Sequence, residues 1–335
     1  MKQSLKGKIL DVDESEDSEI YNIEILTGEE KGDKITVELS IEPGLTPVNW
    51  NFEEGQTVFL QRTEVDEEVF YSIDGHVRTS PMIFLAMIFV AVSLVVGRIR
   101  GLGSLVGLVL SIGVLFGVTI PLLIAGYSTF WVGAITILVV LIPTMYLSHG
   151  FNPKTTTALI GTLISLVLAI LIGQLFIYLT KLTGLASEEA STLALEGGST
   201  LNFGGILLLS LIIGAIGVID DVTVSQVSSV LEIFRANSDL DIADLYERAM
   251  VIGRDHIASM VNTLVMAYVG AALPMVMLFY TYNLSAERIV NIEFISEEIV
   301  RTLVGSIALV VAVPITTFIA SYLITRPGKA EKWLQ

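Results

Sequence analysis

The sequence predicts an α-helical polytopic membrane protein of about seven transmembrane helices, with a small N-terminal antiparallel β-barrel of OB-like type. Three observations carry that expectation. Hydrophobic residues make up 53% of the 335-residue chain and charged residues only 16%, below the roughly 25% charged content of soluble domains. The composition shifts near Thr79 from a polar head to a hydrophobic body. The formal charge of −16 is concentrated in that head, where residues 1–80 hold 7 Lys/Arg against 19 Asp/Glu. An acidic head repels a phosphate backbone, which argues against nucleic acid as a partner. Cysteine is absent, so disulfides and thiolate metal sites are excluded. Residues 1–13 contain no apolar core of signal-peptide length, so no cleavable leader is expected.

In the head, short alternating runs rich in Val, Ile, Phe and Tyr predict strands at 8–12, 20–26, 34–40, 56–62 and 68–73. Between them lie the turn signals Thr27-Gly28, Lys31-Gly32-Asp33, Pro43-Gly44, Glu54-Gly55 and Asp74-Gly75. Five strands in so short a stretch fit a compact antiparallel barrel. An oligonucleotide-binding barrel needs basic residues interleaved with exposed aromatics, whereas the polar faces here are Glu and Asp. A soluble cap is the expected role, with docking or gating as the functional alternative.

Beyond Thr79, apolar spans are expected at 81–97, 102–125, 130–147, 156–180, 203–219, 257–282 and 299–324. Most match the roughly 20 residues that cross a bilayer core. The basic residues of the connecting loops set the orientation. Arg98, Arg100, Lys154, Arg235, Arg248, Arg254, Arg326, Lys329 and Lys332 fall on one side, against Lys181, Arg288 and Arg301 on the other. The richer side is cytoplasmic. The expected organisation is therefore an extracytoplasmic domain at 1–80, a bundle at 81–326 with a cytoplasmic helical loop at 222–254, and a cytoplasmic tail at 327–335, in a cell membrane.

Several spans are interrupted. Pro121, Pro143, Pro274 and Pro314 each fall in or near the end of one, and each removes a backbone donor. Gly103 and Gly107 have the small-xxx-small spacing of closely packed helices. The loop at 222–254 carries an apolar stripe of Val222, Val224, Val227, Val230, Leu231 and Ile233, then an acidic stretch at 240–250. It reads as an interfacial helix followed by a short soluble helix. A faint echo between Ala158-Leu-Ile-Gly-Thr-Leu163 and Ser259-Met-Val-Asn-Thr-Leu264 hints at a parallel repeat.

The candidate site lies at the fifth and sixth spans. The fifth runs into Asp220-Asp221, and the sixth opens on Asp255-His256 and then carries Ser259, Asn262 and Thr263. Asp221 and Ser225 share a helix face, as do Asp255, Ser259 and Asn262 at i, i+4 and i+7. If the two spans form a hairpin, Asp220, Asp221, Asp255 and His256 meet at one end. Carboxylates and a histidine near lipid suit proton exchange or a hard cation held by oxygen ligands. The structural alternative is a helix boundary, with Asp255 paired to Arg254 and Asn262 making an interhelical hydrogen bond. Gln174, deep in the fourth span, has the same structural alternative.

These residues also carry a resemblance. Gly214-Ala-Ile-Gly-Val-Ile-Asp-Asp-Val222 with Ser225, and Gly253-Arg-Asp255 followed by Met260-Val-Asn-Thr-Leu264 and Ala267-Tyr-Val-Gly270, resemble the YibE/YibF-like bacterial membrane proteins. The resemblance extends to Pro274, and in the head to Leu26-Thr-Gly-Glu-Glu-Lys-Gly32. It implies a multi-pass membrane protein of unassigned activity. Asp221, Asp255, Asn262 and Thr263 match the family pattern, whereas Asp220 and His256 stand where apolar residues are expected.

No G-x-x-x-x-G-K-[ST] loop and no H-E-x-x-H occurs, and the only histidines are His76, His149 and His256. The expectation is a non-enzymatic protein without cofactors. Its first reading is a permease or transporter subunit for a small solute or cation, with Asp221 and Asp255 binding and Asn262 and Thr263 lining the path. The alternative is a non-transporting assembly or sensing protein whose acidic head receives a partner. The lipid bilayer is the expected surrounding, with a homo-oligomer or a related membrane subunit as a further partner.

Overall fold

The computed structural model describes residues 2–14, 18–40, 52–65, 68–197 and 201–326. The Pro43-Gly44 turn, Lys329, Lys332 and the tail at 327–335 lie outside the described residues. The chain divides into two compact units, Met1–Val92 and Ser93–Gln335.

The first unit carries five antiparallel strands, β1 (Lys2–Glu14), β2 (Ser18–Ile25), β3 (Lys34–Ser40), β4 (Thr57–Val65) and β5 (Glu68–His76). Their order across the sheet is β3-β2-β1-β4-β5. Alternation creates the inner face: Tyr21, Ile23 and Ile25 of β2 are buried while the residues between them are not. They pack with Leu5, Ile9, Val37, Val58, Leu60 and Ile73. Register shifts at Ile9/Asp11 in β1 and at Phe59/Leu60 in β4 bend the sheet. The result is a half-barrel whose edge strands β3 and β5 approach each other. The β2–β3 connection places Gly28 at φ 92° and Gly32 at φ 99°, a region that side chains with a Cβ rarely enter.

On this sheet Glu30 is held by two groups. Tyr71 Oη donates to its Oε2 at 2.6 Å and Arg62 Nε donates to its Oε1 at 3.1 Å. The Tyr71 hydrogen bond above all, then Arg62, holds the Glu30 carboxyl below its usual range. Burial, then the Glu30 carboxylate, raises the Tyr71 hydroxyl.

The helices are α1 (Thr79–Val114), α2 (Ile120–Ile124), α3 (Thr129–His149), α4 (Pro153–Thr180), α5 (Glu188–Gly197), α6 (Phe203–Ala236), α7 (Ile242–Ala271), α8 (Leu273–Thr281), α9 (Ala286–Val290) and α10 (Glu293–Ile324). Among the described residues, five helical stretches are long and apolar enough to cross a membrane, or six if the bent pair α7–α8 is one span. That pair bends by 62°, with Pro274 in the first turn of α8. Helix α1 has a non-helical residue at Arg98 (φ 51°, ψ −131°). The chain folds back there so tightly that a Cβ on Gly101 would strike the Ser93 carbonyl. A π-helical turn, Leu115–Thr119, precedes Pro121, while Pro143 and Pro314 lie within α3 and α10.

Helices α4, α6 and α10 form the centre of the second unit, with α3 and α7 packed around them. Small residues permit the closest contacts. A Cβ on Gly161 of α4 would meet the Thr316 hydroxyl of α10, with Thr316 Cβ only 3.1 Å away. Gly103 of α1 lies against the Leu147 carbonyl of α3, and Gly107 lies against Thr144, so the small-xxx-small pair serves the α1–α3 crossing. The Gly184 turn after α4 sits on the backbone of Phe203.

One expectation is corrected. The stretch after Asp221 does not begin a separate interfacial helix, because α6 continues unbroken to Ala236. Val222, Val224, Val227, Val230 and Leu231 are buried in the bundle. The hydroxyls among them close onto the helix itself: Ser228 Oγ donates to the Val224 carbonyl at 2.6 Å and Ser229 Oγ to the Ser225 carbonyl at 3.0 Å. Likewise the stretch at 240–250 is the first part of α7, capped by Asp241, whose side chain accepts from the Asp244 N–H.

Two predictions follow from this packing. Gly161→Ala destabilises the bundle by roughly 1–3 kcal/mol, the usual cost of overpacking, measured as thermal unfolding in detergent. Glu30→Gln lowers the melting temperature of the full chain slightly near pH 7. Because folding depresses the Glu30 pKa, its contribution is present above the ordinary carboxylate range and fades as pH falls through the depressed value. Calorimetry of wild type and variant therefore shows their difference vanishing in acid.

Candidate functional site

The polar centre of the second unit is a cavity of about 610 Å³ walled by α1, α3 and α6, within the size range of small-molecule sites. Helix α6 supplies Gly217, Asp220 and Asp221. Helix α3 supplies Thr144, Ser148 and His149, and α1 supplies Arg100, Ser104 and Ser111. Thr144 and Ser148 recur at four-residue spacing and so share a face of α3.

The carboxylates are held unevenly. Asp220 Oδ1 is buried with no hydrogen-bond partner among the described residues, while the Asp220 backbone carbonyl accepts from Thr223 Oγ1 at 2.9 Å. Asp221 interacts electrostatically with His149 of α3 and His256 of α7. Ser225 Oγ lies 3.5 Å from His256 Nδ1, at the limit of a hydrogen bond. Asp220, Asp221, Ser225 and His256 therefore cluster where α6 faces α3 and α7.

The other expected residues lie elsewhere. Asp255, Ser259, Asn262 and Thr263 are exposed on α7, and none of them lines the cavity. One residue advances a helix by about 100°, so turning His256 toward Ser225 turns Asp255 away. Thr263 Oγ1 donates to its own helix at the Ser259 carbonyl, 3.0 Å away. Of the four residues expected to meet at the hairpin, Asp220, Asp221 and His256 come together and Asp255 does not. Gln174 borders a smaller cavity of about 200 Å³ beside Asn202, Leu208 and Ile212. The sequence echo does not extend to environment, since Gly161 and Thr162 are buried whereas Asn262 and Thr263 are not. Among the described residues no group of three His, Cys, Asp or Glu side chains is placed to hold a metal ion.

Sequence reasoning passed over two sets of residues. Arg100 counted only as a loop charge and His149 only as one of three histidines, yet both reach the cavity. Their signal was the run of Ser and Thr along the neighbouring spans. The second set joins the central helices. Thr162 and Thr223 share a hydrogen bond of 2.7 Å between α4 and α6. Gln226, 1% exposed, donates through Nε2 to the Ala249 carbonyl at 2.9 Å and to Thr317 Oγ1 at 2.8 Å, tying α6 to α7 and α10. Gly253 gives these groups room, because a Cβ there would lie 2.5 Å from Val313 Cγ1 and 3.0 Å from Gln226 Nε2.

A family model described as YibE/F-like protein matches residues 85–326. No curated protein and no solved structure matches the chain.

Gln226→Leu strands the Ala249 carbonyl and the Thr317 hydroxyl, at roughly 1–3 kcal/mol for a buried group left unpaired. That loss is expected to appear as unfolding at lower temperature in detergent. Asn262→Leu, on the exposed face of α7, is expected to leave it nearly unchanged.

Proposed function

Because the chain belongs to the YibE/F-like protein family, a group of multi-pass membrane proteins, we propose that it is a permease or transporter subunit for a small polar solute or ion. The observation that carries this reading is the cavity, where two adjacent carboxylates and a series of hydroxyls face a common space between otherwise apolar helices. Charged side chains in spans are costly and gather at solute and ion routes. The solute meets Asp220 and Asp221 from α6, with His149 and Arg100 balancing charge. Ser225 and His256 couple that wall to α7. Asp255, Ser259, Asn262 and Thr263 form a second polar face that comes into play when α7 moves or when another copy or a related subunit covers it. No covalent chemistry is assigned to the protein.

The topology of this reading has seven spans. The stretch Thr79–Ile124 holds 46 residues, about 69 Å if straight and roughly twice the bilayer core. The break at Arg98 divides it into two crossings, and α7–α8 supplies one bent crossing. The loop charges then put Arg100, Lys154 and Arg235 in the cytoplasm with the C-terminus, and the acidic head outside a bacterial cell membrane.

A thermal-stability scan of purified full-length protein against metal ions, amino acids, organic anions and lipid precursors tests the reading. A solute at about 100 times its Kd stabilises by about 2.7 kcal/mol. The expected result is a solute that stabilises wild type and Asp255→Asn but neither Asp220→Asn nor Asp221→Asn. If no solute binds and the Asp220 and Asp221 variants melt early, the carboxylates are structural. The protein is then an assembly or sensing protein, and the permease reading falls.

A further inference from the structure

The second unit holds another ionisable cluster, where the first turns of α10 meet the turn after α4. Glu297 of α10 is 9% exposed, yet its Oε1 has no hydrogen-bond partner among the described residues. The Gly184 backbone after α4 donates to this carboxyl, and Glu293, Glu298 and Arg301 of α10 surround it electrostatically. Arg301 pairs with Glu298 at 3.2 Å and donates through NH1 to Ser210 Oγ of α6 at 3.0 Å. Tyr268 of α7 faces the same Arg301 and Glu298. Its hydroxyl lies 3.2 Å from where a Cβ on Gly214 would stand.

Helix geometry links this cluster to the cavity. From Ser210 to Asp221 is eleven residues, about 20° beyond three full turns and about 16 Å of rise. Gly214 and Gly217 fall between them on the same face. Gly217 has open space where a side chain would be, and it lines the cavity beside Asp221. The face that begins at Ser210 and Arg301 thus passes the Tyr268 hydroxyl and two glycines, then reaches Asp221, with His149, His256 and Ser225 around it. An apolar side chain at either glycine would close this strip; none is present.

We propose that the seam between α6 and α7 is a proton lane running from Glu297 past Tyr268 to Asp221. The proposal rests on the permease reading and supplies its coupling ion. A proton enters as the carboxylic acid of Glu297, with Arg301 as fixed counter-charge to Glu298. The Tyr268 hydroxyl accepts a proton on one side and releases its own on the other. Water in the space left by Gly217 carries it to the Asp221 carboxylate. At each hop one O–H bond breaks as another forms, and no electron changes owner. Carboxylates and hydroxyls in such a series are the recurring material of intramembrane proton relays.

The test uses full-length protein in liposomes containing a pH-sensitive dye, with a potassium diffusion potential to drive protons inward. The proton itself is the probe. The expected result is a flux above that of empty liposomes that falls about tenfold, equivalent to 1.4 kcal/mol of barrier, in Tyr268→Phe and in Gly217→Leu. Tyr268→Phe keeps the ring and is expected to melt with wild type, whereas Gly217→Leu plugs the strip with hydrocarbon. Gly113→Leu, on α1 where a side chain meets open space, is the control and keeps the flux. Absence of wild-type flux, or a flux that both lane variants leave intact, overturns the lane. The solute scan on the same preparations separates the two ideas: solute binding without proton flux sinks the lane alone, and loss of both sinks the permease reading with it.

Discussion

The close approach of α4 to α10 at Gly161 and Thr316 is the contact on which the second unit depends. Lipid tails are as apolar as leucine, so spans are not driven together by exclusion from water; they associate through close packing and internal hydrogen bonds. Gly161 supplies the first by letting Thr316 rest on the α4 backbone. The Thr162–Thr223 and Gln226–Thr317 hydrogen bonds supply the second on adjacent turns. Together they fix α6 in rotation as well as position. Once Thr223 faces α4 and Gln226 faces α10, Asp220 and Asp221 have to turn toward α1 and α3, where the cavity lies.

Helix α6 therefore does two kinds of work with one sequence. Its buried face is apolar and hydroxyl-bearing, from Leu207 through Ile219 to Phe234. The face carrying Ser210, Gly214, Gly217 and Asp221 is small and polar. Keeping both in one helix requires the backbone to remain helical through Asp220-Asp221, where a span would otherwise end. The hydroxyls of Thr223, Ser228 and Ser229 bond to carbonyls of the same helix. Those of Ser228 and Ser229 add polarity to the sequence while bonding within the helix, which runs on for its 34 residues.

That arrangement explains what could be read in the sequence and what could not. Strands such as 34–40 were legible because alternation and turn residues are local signals, and the antiparallel half-barrel follows from them. Apolar helices were legible from hydropathy, and the family from the Gly214–Val222 and Met260–Leu264 stretches, in line with the match over 85–326. The continuation of α6 was not, because self-bonded hydroxyls resemble a loop in any hydropathy scale. The division between His256 and Asp255 was not legible either. Both are ionisable and adjacent, and only the rotation of α7 against α6, set by Gly253 on Gln226 and Val313, decides which turns inward. Arg100 and His149 were hidden for a related reason: a cavity wall is assembled from three helices, and no single one displays it.

The polar groups of the bundle also supply an internal comparison. Many that serve packing are paired: Thr162 with Thr223, Gln226 with Ala249 and Thr317, Thr119 with Thr136 at 2.8 Å, while Ser306, Thr316 and Ser321 of α10 are buried with no hydrogen-bond partner among the described residues. Asp220 differs from these hydroxyls in being a carboxylate: its Oδ1 is buried with no hydrogen-bond partner among the described residues, while its neighbour Asp221 opens on a cavity with room for a solute. A buried acceptor left unpaired costs about 1–3 kcal/mol, more when charged, and an apolar residue would fill the same turn of α6 without that cost. The same helices demonstrate that the fold can pair its polar side chains closely. On the permease reading the Asp220 acceptor is kept for something that enters the cavity, an account that the unpaired α10 hydroxyls do not require, because a neutral group left unpaired costs less than a charged one.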